Sequence, residues 1–71
     1  MEKRREKKIK IIEESLILSR KRLKLAEIRK NIDTVDLYNQ IIPELEALLY
    51  AYKNFENDAD RKRYFYSLFP F

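Results

Sequence analysis

The chain has 71 residues with no Gly, Cys, His or Trp, and its 16 basic and 12 acidic side chains leave a formal net charge of +4. A chain of this length forms one domain at most and buries only about 60% of the surface its unfolded form exposes. Without Cys or His, neither a disulfide nor the usual zinc ligands can reinforce so small a core, so a partner subunit is the remaining reinforcement.

Hydrophobic residues make up 45% and charged residues 39%, which places the chain among folded rather than disordered sequences. Lys, Glu, Arg, Ile and Leu dominate, whereas Val35 and Thr34 are the sole representatives of their types, so an all-α fold is expected. The primed hairpin turns of a β-protein would have only Asn and Asp to draw on. Lys/Glu/Arg enrichment with a single Gln and no Cys also fits a thermophile. No apolar run approaches the roughly 18 residues of a membrane span. The first residues read EKRREKK rather than a signal peptide, and a cytoplasmic setting without membrane contact is expected.

Charge is segregated along the chain. Residues 1–30 carry twelve basic and five acidic side chains, a local +7. Residues 31–60 set Lys53 against seven acids, a local −6, and Arg61, Lys62 and Arg63 restore +3 at the end. Such blocks say more than the net value does.

Taken in order, residues 2–31 read as one helix. Ile9, Ile12, Leu16, Ser19, Leu23 and Ala26 follow a 3-4-3-4-3 spacing, a heptad-like seam with one polar member. A second stripe of Ile11, Leu18, Leu25, Ile28 and Ile32 runs on the far side, interrupted by Glu14 and Lys21. One apolar face needs one neighbour, and two faces need two.

A break is expected between Asn31 and Thr34, with Asp33 as N-cap, Asp36 three residues on and an Ile32–Leu37 staple; the competing reading is one helix running to Ile41 and broken by Pro43. The second helix then spans about residues 34–57, kinked near Pro43, which lacks an amide donor and disfavours the α region at Ile42. Its seam is Tyr38, Ile41, Leu45, Leu48, Tyr52 and Phe55. Asn57 and Asp58 signal a stop and a new cap, and residues 59–71 form a short third helix or an aromatic tail closed by Pro70. The expected architecture is an antiparallel hairpin of a basic and an acidic helix, with the third helix or tail beside it. Dimerisation into a four-helix bundle, or folding of the tail across the hairpin, would complete the core.

Residues 28–36 resemble the I/L-R-x-x-I-D-x-I/V-D stretch that opens the helical chorismate mutases. The likeness covers nine residues, and Pro43 falls where that family continues its helix unbroken. A basic helix followed by an acidic cap yields the same letters, so no fold, activity or site residue is carried over.

The candidate binding residues fall into two sets. Lys3, Arg4, Arg5, Lys7, Lys8 and Lys10, with Arg61, Lys62 and Arg63, form dense basic runs suited to nucleic-acid phosphates. The same side chains can instead solvate a helix and pair with the acidic segment. Ile11, Leu18, Leu25 and Ile28, with Tyr64, Phe65, Tyr66, Phe69 and Phe71, are the candidate partner-binding residues. For the aromatic set, the competing reading is that Phe65, Leu68 and Phe69 supply missing core. The hydroxyls of Ser15, Ser19, Ser67 and Thr34 have no activating base nearby in sequence, and Glu13 and Glu14, as direct neighbours, diverge on a helix.

These residues lead to an expected non-enzymatic adaptor or accessory subunit, with no cofactor, metal or small-molecule substrate. Its partner would be a larger protein or a second copy, beside nucleic-acid machinery of the replication or transcription kind. The alternative is a stand-alone DNA- or RNA-binding helical dimer that uses the basic first helix.

Overall fold

Residues 2–69 are described by a computed structural model, with side chains from residue 3 onward. They form three helices, α1 (Glu2–Arg29), α2 (Ile32–Asn54) and α3 (Asp58–Leu68), and no strand. α1 packs against α2, and α3 packs against α2 without approaching the α1 backbone. The cross-pairs Glu13–Lys53 and Arg20–Glu46 rise along α1 while they fall along α2, and Arg5 reaches Glu56 just beyond the end of α2, so the hairpin is antiparallel.

The Cα extents are 42 × 27 × 12 Å. A 28-residue helix is about 42 Å long at 1.5 Å per residue, so α1 sets the long axis. A compact chain of this size would have a radius of gyration of about 11 Å, against 13.9 Å here. α2 is the central helix, and α1 and α3 each pack against it and not against each other.

The seam of α1 meets α2 as the 3-4 spacing requires: Ile12, Leu16, Ser19 and Ala26 are buried, and Ile9 and Leu23 half-buried. On α2 the six seam residues Tyr38, Ile41, Leu45, Leu48, Tyr52 and Phe55 are all half-buried. Its fully enclosed positions are instead Ala47 and Ala51, the latter 0% exposed. The Tyr64 ring stacks on Tyr50 at 5.0 Å and on Phe55 at 5.6 Å. It thereby covers the arc of α2 between those two rings, where Ala47 and Ala51 sit. Small residues there let α3 lie close to α2.

The first turn differs from the expectation. α1 ends at Arg29, and Lys30 takes a left-handed conformation with φ 58°. The Lys30 amide donates to the Glu27 carbonyl (3.2 Å) and the Asn31 amide to the Ala26 carbonyl (2.9 Å), the paired bonds of a Schellman ending. The cap of α2 is Asn31, whose Oδ1 accepts from the Thr34 amide at 3.3 Å, while Asp33 lies within the first turn. The tight ending places an amide side chain at the entry to α2 two residues before Asp33.

α2 continues through Pro43 as one helix. Pro43 is exposed, and the flanking seam residues Ile41 and Leu45 remain packed on either side of it. The next cap is Asn57, accepting from the Ala59 amide at 2.8 Å, with Asp58 and Asp60 in the first turn of α3. Pro70 and Phe71 lie outside the described residues.

Candidate interaction surface

On an α-helix, successive residues are about 100° apart around the axis, so the face opposite the α2 seam can be read directly. Between residues 7 and 29, an arc of roughly 120° on that face holds ten residues. They are Lys7, Lys10, Ile11, Glu14, Leu18, Lys21, Arg22, Leu25, Ile28 and Arg29, and all ten are exposed. Four are aliphatic, with exposures of 54% for Ile11, 48% for Leu18, 51% for Leu25 and 69% for Ile28. Five are basic, and Glu14 is the single acid. Ile32 continues the stripe into the first turn of α2 at 72% exposure. α3 does not approach the α1 backbone, and α2 reaches this arc only along one edge, where Arg22 meets Tyr38 and Ile11 borders Leu48 and Tyr52.

The two broad faces of the α1–α2 hairpin differ from each other. Arg20 reaches Glu46 at 3.0 Å and Lys53 reaches Glu13 at 3.7 Å, and both ion pairs bridge α1 and α2 on one face. Exposed pairs of this kind contribute about 0–1 kcal/mol each. On the other face of the hairpin, Lys8 Nζ stands 5.6 Å from the Tyr52 ring centre and Arg22 donates to the Tyr38 hydroxyl at 3.4 Å. A shallow apolar groove opens on that side between Lys8, Ile11, Ile12, Leu48 and Tyr52.

The basic residues singled out by sequence divide into two kinds. Lys3, Arg4, Lys7 and Lys10 are exposed and have no carboxylate within 4 Å among the described residues, and Arg63 is likewise exposed. The others are engaged within the fold. Arg5 is half-buried and lies 3.9 Å from Glu56, Lys8 faces Tyr52, and Lys62 pairs with Asp58 at 3.3 Å.

Arg61 is the most enclosed of them, with a side chain 16% exposed. Its Nη1 donates to the Phe55 and Glu56 carbonyls, both at 2.9 Å, and Nη2 lies 3.6 Å from Asp58. The guanidinium stands over Tyr52, and its Nε is buried without a hydrogen-bond partner. Arg61 therefore closes the turn between α2 and α3. Three adjacent bases in a row gave no hint of this; the position of Arg61 four residues after the Asn57 cap is the available signal.

The aromatic set also divides. Tyr64, Phe65 and Phe69 are half-buried, Tyr64 against Tyr50 and Phe55, and Phe65 beside Phe69 at 5.1 Å. Tyr66 (56%) and Leu68 (50%) point outward. Phe71 lies outside the described residues. Ile17 (55%), Leu37 (52%) and Tyr50 (50%) are exposed hydrophobes that the two seams did not mark. Arg22 and Arg29 join the outer arc, which heptad spacing alone did not show and angular position does.

Of the hydroxyls, Ser19 is buried in the α1 seam and Ser67 Oγ donates to the Tyr64 carbonyl within α3 at 2.6 Å. Among the described residues there is no cluster of three carboxylates that could hold a metal, and no helix long and apolar enough to cross a membrane. Compared with known proteins, the chain matches no family model, no curated protein and no solved structure.

Proposed function

We propose that this chain is a non-enzymatic helical adaptor or accessory subunit that acts by protein–protein contact in the cytoplasm, beside nucleic-acid machinery such as a replication or transcription complex. The observation that carries the reading is the uncovered aliphatic stripe of α1. Four large side chains about half exposed or more, in register along one helix, are what a helix presents to a neighbour. The hairpin already satisfies its own seam without them.

The test is affinity capture from the native cells, performed with and without nuclease. Partners retained after nuclease digestion support the protein-contact reading. Loss of every partner on digestion would refute it.

A second reading, the stand-alone nucleic-acid-binding dimer, is favoured by Lys3, Arg4, Lys7 and Lys10, which project from one end of α1 free of carboxylates among the described residues. Two hairpins pairing into a four-helix bundle would then set two such ends on one surface. This reading requires binding of duplex or single strands at about 50 mM salt that weakens steeply as salt rises. No binding at that salt removes it.

A further inference from the structure

We infer that the outer face of α1 docks an acidic amphipathic helix of a partner protein. This rests on the protein-contact reading above and specifies the chemistry of the contact. Ile11, Leu18 and Leu25 recur every seven residues and Ile28 follows at the next half-heptad step, the pattern of a seam that meets another helix. The two half-heptad positions between them hold Glu14 and Lys21, so charge interrupts the apolar track. A lipid surface favours a continuous apolar face, whereas a charge-interrupted seam suits the side chains of one facing helix.

Charge then selects the partner. Lys7, Lys10, Lys21, Arg22 and Arg29 share the arc with the stripe, against Glu14 alone, a local +4. None of the five lies within 4 Å of a carboxylate among the described residues. A second copy presenting the same face would bring +4 against +4, and in a parallel pairing would set Glu14 on Glu14 and Lys21 on Lys21. An acidic helix places carboxylates against those bases and its own aliphatic residues at i, i+3/4 and i+7 against the stripe. From Ile11 to Ile28 the seam runs about 26 Å at 1.5 Å per residue, so a helix of about 18 residues covers it.

The experiment uses the full chain and three labelled probes, followed by anisotropy, with sedimentation of anionic phospholipid vesicles alongside. The first probe is a helical peptide of about 20 residues with Leu at the a and d heptad positions and Glu at the flanking e and g positions. The second is the same peptide with Lys for Glu, and the third is a duplex DNA of equal length. The expected result is saturable binding of the acidic peptide and about tenfold or more loss of affinity in Leu18→Glu/Leu25→Glu. Lys21→Glu/Arg22→Glu is expected to shift preference towards the basic peptide. All four positions are exposed, and circular dichroism of each variant checks that the helices persist.

Binding of the basic peptide in preference to the acidic one by the unaltered chain would overturn the charge assignment while leaving the protein-contact reading in place. Failure of every probe to bind would do the same. Binding of DNA or of the vesicles with no peptide bound would overturn both. A solution mass of twice the chain that falls to one chain in Leu18→Glu/Leu25→Glu would make a second copy the occupant, and overturns the inference as well.

Discussion

The guanidinium of Arg61 lies 4.7 Å from the ring centre of Tyr52, and through that ring α3 is fastened to the hairpin. Lys8 of α1 approaches the same ring at 5.6 Å, so Tyr52 receives a cation from each of the other two helices. Arg61 also donates to two carbonyls at the end of α2. Arg61→Ala removes all of these together and is expected to destabilise the fold by about 2 kcal/mol. Arg61→Lys restores the charge without the planar fork and should recover little of the loss. Urea unfolding of both variants checks this; full recovery in Arg61→Lys would mean that charge alone holds the turn.

Ala51 is completely enclosed, on the arc of α2 between Tyr50 and Phe55, the two rings that Tyr64 of α3 packs against. A larger side chain has no space to occupy unless Tyr64 leaves Tyr50 and Phe55. Ala51→Leu should therefore destabilise by about 1–3 kcal/mol despite adding apolar surface. Thermal melting reads the effect, and an unchanged or raised midpoint would show that α3 does not close over this position.

Lys30 holds a left-handed backbone at φ 58°, in a chain with no Gly to offer. A side chain in that conformation costs about 1 kcal/mol relative to Gly. Lys30→Gly is accordingly expected to stabilise the hairpin by about that amount, seen as a higher urea midpoint at unchanged slope.

Pro43 interrupts the hydrogen-bond ladder of α2 by withholding the donor that the Asn39 carbonyl would receive. Pro43→Ala should raise stability by up to about 3 kcal/mol, and the new amide at position 43 should be protected from hydrogen exchange. Fast exchange there with no gain in stability would mean that the backbone at 39–43 is not helical in solution.

The all-helical character and the packing of the first two helices were legible because 3-4 spacing leaves little choice: Ile12, Leu16, Ser19 and Ala26 had to share a face. The far stripe was legible for the same reason, and Ile11, Leu18, Leu25 and Ile28 do stand exposed. The break near residue 31 was legible from Asn31, Asp33 and Thr34, but the left-handed Lys30 and Asn31 as the cap were not, since the signal of such an ending is normally a Gly. Nor was the burial of Ala47 and Ala51, which depends on a third helix folding back on the second rather than on periodicity within either. Bases were the hardest to assign. Arg61 and Arg63 are the same residue type two positions apart, yet one closes a turn and the other faces solvent. Only contacts within the fold distinguish them.

The central claim is that the α1 stripe serves a partner and not the fold, and Leu18→Ser/Leu25→Ser tests it most directly when stability and partner capture are measured on the same protein. Leu18 and Leu25 are 48% and 51% exposed, so the melting midpoint should move by less than the equivalent of about 1 kcal/mol while capture is lost. Collapse of the melting midpoint with capture intact would contradict the account.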